Sequence, residues 1–241
     1  MAHTTNALGQ PIGLPLPNWV PPRTPQRQPL EGRWCRLEPL DLDRHSQALF
    51  DANAADVDGS SWTYLAYGPF VDLAAYRAWQ TATCLSDDPF FFAIVDRADD
   101  RPKGVASFLR IAPAAGSIEV GHIHLAPRLQ RSAAATEAMF LMMQWAFNAG
   151  YRRYEWKCDA LNVPSRAAAQ RLGLSFEGIF RQATVYKDRN RDTAWYAAID
   201  GEWPALRDAF SAWLAPSNFD SQGRQRIRLS DLTKPILQAR G

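Results

Sequence analysis

Apolar and polar residues along this chain alternate with two different periods, and the places where the period changes divide it into elements. GRWCRLEPL alternates as a strand from about Glu31 to Leu40, and Asp41 or Asp43 then caps a helix running to about Ala54. SWTYLAYGPF reads as a short helix and a turn, and helical spacing returns from Asp72 in DLAAYRAWQTATCL. FFFAIVD is a continuous apolar run, a buried strand ending at Asp96. The Asp99–Asp100 turn joins it to a second strand from Lys103, KGVASFLRI, so the two form a hairpin. SIEVGHIHL, Ser117 to Leu125, is a third strand. AAATEAMFLMMQWAFNAG is a long apolar helix stopped by Gly150. YRRYEWKCD is the next strand. A helix follows that starts at a capping Asn162, has Pro164 in its first turn and closes at Gly173. SFEGIFRQATVYK and RDTAWYAAID are two strands joined by the turn Lys187–Asn190, and EWPALRDAFSAWLA is a last helix.

This order predicts an α/β domain whose strand–helix–strand–helix middle is parallel and right-handed. The amino end of the long helix then faces the carboxyl edge of the sheet, where ligands of open α/β sheets bind. Three parts are expected: an extended arm at residues 1–30, rich in proline, a domain at 31–215, and a polar tail at 216–241.

Composition narrows the function classes only modestly. The net charge of +2, from 27 Lys+Arg against 25 Asp+Glu, gives no reason to invoke nucleic acid. The three cysteines form no CxxC pair, which argues against a zinc site and a disulfide framework and leaves a reducing cytoplasm as the expected setting. No apolar run is long enough for a membrane span, and the first residues lack a signal-peptide pattern.

The segment PRLQRSAAATEA, from Pro127 to Ala138, carries the first chemistry. A strand, a basic loop and a small-residue helix start could cradle phosphates, although the loop contains no glycine. The first amides of a helix lack internal partners and sit at the positive end of its dipole, so they bind anions without side-chain charge. Ala133, Ala134 and Ala135 permit close approach if their φ values are helical, and Arg131 and Ser132 could add a charge and a hydroxyl.

Four segments in order resemble the GNAT N-acetyltransferase superfamily, in particular its RimJ/RimL-type branch: EVGHIHL, LQRSAAATEA, CDALNVPSRAAAQRLGLSFEGIFRQ and KDRNRDTAWYAAID. The likeness spans about Leu30 to Trp203. The family's loop positions fall on Gln130, Ala133 and Ala135, with alanine in place of the central glycine. The resemblance implies a mixed sheet of about seven strands with flanking helices and a splayed parallel central pair. It implies acetyl-CoA as acyl donor, its pyrophosphate on Gln130–Ala135 and its pantetheine pairing with the splayed strands and Asn162. HIHLAPRLQ holds one extra residue, which a bulge would absorb while aiming a backbone N–H at the thioester near Leu125.

Ser165 matches the serine that RimL-type enzymes are thought to use to protonate the leaving thiolate; it also suits a helix first turn. The tyrosine found in many relatives falls on Ala169, and the expected glutamate base falls on Thr184. Glu119 and His122 are the replacements considered for the base, each with an ordinary structural reading beside it. On strict alternation Glu119 shares a face with Gly121 and Ile123, and His122 the opposite face with Val120 and His124, a phase that a bulge would break. Trp62, Tyr64 and Trp156 are the acceptor-side candidates, with Tyr67 and Trp79 nearby and Glu155 and Asp159 weaker. The expected activity is transfer of acetyl from acetyl-CoA to a primary amine, of a small molecule or a peptide N-terminus, without metal. The alternatives are a non-catalytic acyl-CoA-binding or sensing module on the same fold, and an interaction protein with a vestigial pocket. An exposed strand edge or the terminal segments could carry a homodimer.

Overall fold

The computed structural model describes residues 3–241. A small hairpin in the arm pairs β1 (Thr4–Thr5) with β2 (Pro11–Ile12). The main sheet has eight strands, β3 (Leu30–Glu31), β4 (Cys35–Pro39), β5 (Phe90–Asp96), β6 (Arg101–Ala112), β7 (Ser117–Leu125), β8 (Arg153–Asp159), β9 (Ser175–Tyr186) and β10 (Arg189–Ile199). Their spatial order is β3-β4-β5-β6-β7-β8-β10-β9, and β7–β8 is the parallel pair. The mixed sheet and splayed central pair agree with the sequence expectation. The strand count exceeds seven because a turn at Gly32 splits the first expected strand into β3 and β4.

Helices α1 (Leu42–Asn53) and α2 (Leu73–Thr83) begin at Asp41 and Asp72, whose carboxylates accept backbone N–H groups of the first turn. They cover one face of the sheet over Trp62, Tyr76, Phe91 and Val105. The other face carries α3 (Ala133–Asn148), α4 (Val163–Arg171) and α5 (Trp203–Leu214). α3 is apolar nearly all round because it lies between the sheet and α5, with Phe140 stacked on Phe210. After Pro216 the chain folds back onto this layer through the short α6 (Leu229–Thr233), where Leu229 and Thr233 are fully buried against α4 and α5.

A buried carboxylate joins α3 to the edge of the sheet. Glu137 accepts N–H groups from three consecutive residues, Arg33 at 2.9 Å, Trp34 at 2.6 Å and Cys35 at 2.9 Å. Glycine is needed just before them, because a Cβ on Gly32 would collide with the Glu137 carboxylate.

The β6–β7 register places Val105 opposite His124 and Ser107 opposite Gly121, two steps on one strand against three on the other. The extra residue lies at the His122 bulge, with His122 at φ +50°. Ahead of the bulge Ile118 and Val120 face the α3-side core; beyond it Ile123 and Leu125 do. His122 and His124 are thereby turned toward Tyr67 and Trp62, onto the face that Glu119 occupies. The bulge therefore sits three residues before Leu125, and the strict-alternation separation of Glu119 from His122 does not hold.

Candidate active site

Parallel pairing between β7 and β8 stops at Val120–Trp156. The strands then diverge, and the opening forms a cavity of about 210 Å³ whose wall includes Gly121, His122, Ile123, Trp156, Cys158 and Ser165. Backbone groups along this edge of the splay face an opening instead of a neighbouring strand, which suits an extended ligand bearing amides.

Next to it, β7 runs into the glycine-free loop. Gln130 Nε2 donates to Leu125 O at 2.9 Å and pins the loop to the strand end. Positive φ falls on Arg131, at +59°, and not on any of the alanines, which begin α3. Ser132 caps that helix: its hydroxyl accepts from Ala135 N at 3.0 Å and donates to Leu129 O at 2.6 Å. This occupies the hydroxyl expected to be available for phosphate. The amides of Ala133 and Ala134 remain without a partner among the described residues. They open onto a second hollow of about 820 Å³, walled by Arg33, Arg131, Arg171, Trp213 and Arg224. Arg171 lies 5.1 Å from the Trp213 ring, and burial holds its guanidinium below its usual range. Two free helix-start amides amid guanidinium groups fit a polyphosphate, and the splay beside them fits a pantetheine arm.

Asn162 caps α4, its Oδ1 accepting from Ser165 N at 3.1 Å. Ser165 Oγ accepts from Trp156 Nε1 at 3.0 Å. Burial pushes the neighbouring Cys158 thiol up, and its hydrogen bond with Ser165 works against that shift. Trp156 therefore belongs to the Ser165 side of the opening.

The opposite side is polar and aromatic. Glu119 is buried in ion pairs with Lys157 at 2.8 Å and Arg110 at 3.2 Å, and Lys157 also meets Glu155 at 2.7 Å. Burial pushes the Glu119 carboxyl up, against the pull of those two cations. His122 Nδ1 shares a 3.1 Å hydrogen bond with the Tyr67 hydroxyl, and burial brings the imidazole down to about 4. His124 is also brought down to about 4 by burial; its Nε2 meets Ser61 Oγ at 2.8 Å, and Ser61 bonds to Asp56. Tyr64 donates to Leu161 O at 3.2 Å across the opening. Trp62 does not line the cavity: it is buried and stacked on His124 at 3.6 Å, a packing residue under the acceptor side. Ala169 is fully buried, and Thr184 is exposed on edge strand β9.

Arg110, Lys157 and Arg191 line the same cavity and were not among the residues singled out from sequence. Alternation in YEWKCD places Lys157 on one face with Glu155, the signal that could have found it. Arg191 sits opposite Thr184 in the β9–β10 ladder, a relation visible only once the hairpin register is known. Among the described residues, no group of three or more His, Cys, Asp or Glu could hold a metal ion, and no helix is long and apolar enough to cross a membrane.

The acetyltransferase (GNAT) domain family matches residues 35–175. A GCN5-related N-acetyltransferase from Brucella melitensis is similar at 48% identity and a TM-score of 0.89, covering 91% of this chain and 100% of that one. A probable GNAT-family acetyltransferase from Chromobacterium violaceum ATCC 12472 is 40% identical with a TM-score of 0.76, covering 81% and 98%. RimL, a ribosomal L7/L12 α-N-protein acetyltransferase solved with coenzyme A, shares the fold at 21% identity and a TM-score of 0.61, over 71% of this chain and 98% of that one. No curated protein matches the sequence.

Proposed function

This chain belongs to the GNAT acetyltransferase family, and from that premise we propose that it moves acetyl from acetyl-CoA to a primary amine by direct attack in a ternary complex. The observation that carries the reading is the β7–β8 splay leading to the unpartnered amides of Ala133 and Ala134. Acetyl-CoA supplies a thioester carbonyl for attack and a thiolate as leaving group. Gln130, Arg131 and the first amides of α3 hold its pyrophosphate, and the β7 backbone around the His122 bulge, which lines the opening, receives the thioester oxygen.

Attack makes the amine–carbon bond, breaks the carbon–sulfur bond and leaves one surplus proton on nitrogen. His122 is the base for that proton: its imidazole is neutral at neutral pH, and with Nδ1–H donating to Tyr67 the Nε2 lone pair is free. Glu119, paired with Lys157 and Arg110, acts on the same face through water or by fixing charge. Ser165 is the acid for the thiolate. An indole N–H only donates, so Trp156 occupies a serine lone pair, and the hydroxyl proton, which Cys158 shares, turns to the CoA sulfur. Ser165 recovers its proton from solvent as the base releases one, and the net products are the acetamide and CoA thiol.

Ser165 and the Asn162-x-x-Ser165 cap support a RimJ/RimL-like assignment; Thr184 in place of a glutamate separates the base chemistry from that branch. The three free, buried cysteines fit a cytoplasmic setting. The experiment is CoA release from acetyl-CoA over a panel of amines, with the acetylated product identified by mass. Acetyl-CoA binding without CoA release on any amine would favour the alternative binding module.

A further inference from the structure

Resting on that reading, and going beyond it to the acceptor, we propose that the amine substrate is a small molecule that also bears a carboxylate, which Arg191 holds.

Charge bookkeeping inside the cavity singles out Arg191. Glu119 is satisfied by Arg110 and Lys157, and Asp159 by the Tyr186 hydroxyl at 2.8 Å and Leu161 N at 2.8 Å. Arg191 has no carboxylate partner among the described residues. Its Nε donates to Thr193 Oγ1 at 3.2 Å, and its guanidinium lies 5.9 Å from the Tyr186 ring, so the fork is held in place with its terminal nitrogens unclaimed. A planar fork of this kind matches a carboxylate in two parallel bonds.

Size and access favour a compact acceptor. The β9–β10 turn is tied over the acceptor side, with Lys187 Nζ donating to Trp62 O at 2.9 Å and Arg189 to Thr63 O at 3.0 Å. Tyr64 bridges to Leu161 O. A cavity of about 210 Å³ behind these ties takes a free amino acid more readily than the leading residues of a polypeptide.

Charge also favours this class chemically. With Arg110 and Lys157 paired to Glu119, Arg191 is the cation of the cavity wall left without a carboxylate, and it disfavours an ammonium beside it. A polycationic amine would meet the same repulsion along its length. One carboxylate on the acceptor answers Arg191 without claiming Glu119 or His122.

The test uses the full chain with acetyl-CoA and three matched acceptor sets: α- and ω-amino acids, their carboxamides, and short peptides. Wild type is expected to favour the carboxylates over the carboxamides by about tenfold in kcat/KM. R191Q is expected to abolish that preference by raising KM for carboxylates far more than for carboxamides, and R191K to restore part of it. Calorimetry of the same amino acids on the CoA-saturated protein should show binding that R191Q weakens. Equal turnover of carboxamides, preference for peptides, or an R191Q loss equal across all sets overturns the proposal while the acetyltransferase reading stands. CoA release with none of the three sets overturns the proposal, and its absence over the wider amine panel overturns the acetyltransferase reading as well.

Discussion

Trp156 Nε1 and Ser165 Oγ lie 3.0 Å apart, the indole on a sheet strand and the hydroxyl in the first turn of the helix that follows it. The N-cap of that helix is Asn162, so Ser165 is not needed to start it. Ser165→Ala is therefore expected to leave the denaturation midpoint nearly unchanged and to lower kcat about 100-fold with little change in KM for acetyl-CoA. A fall in stability with kcat preserved would assign the serine to packing instead.

The two strand histidines set the acid behaviour. Both are brought down to about 4 by burial, so between about pH 4 and the unfolded value near 6.5 the unfolded chain binds more protons. Stability is then expected to fall as pH drops from 6.5 toward 4, by up to about 1.4 kcal/mol per pH unit for each histidine. Urea midpoints measured across this range should flatten in the His122→Gln, His124→Gln double variant. In kinetics, His122 acting as the base places the acid limb of kcat/KM near pH 4, well below that of an ordinary imidazole. An acid limb unmoved by His122→Gln would transfer the role to Glu119.

Arg131 carries charge and an unfavourable backbone at once. Arg131→Gly relieves the φ of +59° and should change stability by less than about 1 kcal/mol while weakening acetyl-CoA several-fold. Arg131→Glu should weaken it by more than about tenfold, in a salt-dependent way, because it sets a negative group beside the phosphates. Arg128→Glu, on the exposed surface just upstream, is the calorimetric control.

Glu119 and Lys157 form a buried pair whose halves depend on each other. Glu119→Gln alone is expected to cost about 3 kcal/mol, since Lys157 loses one of its two carboxylates in a buried place. Adding Lys157→Met should recover part of that loss, although Glu155 is then released. Additive losses in a double-mutant cycle would show the two residues to be uncoupled.

Much of the fold was legible because its elements are strongly periodic. SIEVGHIHL is β7 from Ser117 to Leu125, and Asp41, Asp72 and Asn162 cap the helices where short polar residues precede apolar spacing. The bulge was legible as one surplus residue, but its position was not, since register is fixed by the partner strand β6. For the same reason the shared face of Glu119 and His122 was hidden. Neither Lys157 nor Arg191 stood out in the sequence, because the cavity they line is assembled from several strands. The polar composition after Pro216 likewise concealed Leu229 and Thr233, whose burial comes from α4 and α5.

The Glu137 clamp has a bearing on how the donor is received. The turn it grips carries Arg33 and Trp34 on one wall of the arginine-lined hollow, and the helix it belongs to supplies Ala133 and Ala134 on the other. A single carboxylate thus works as a spacer that fixes the gauge of the hollow, so at the proposed phosphate site less ordering remains to be done on binding. A chain in which this spacer is cut could stay folded and still grip its donor poorly, with the fault lying in the width of the hollow and not in any group that touches the ligand.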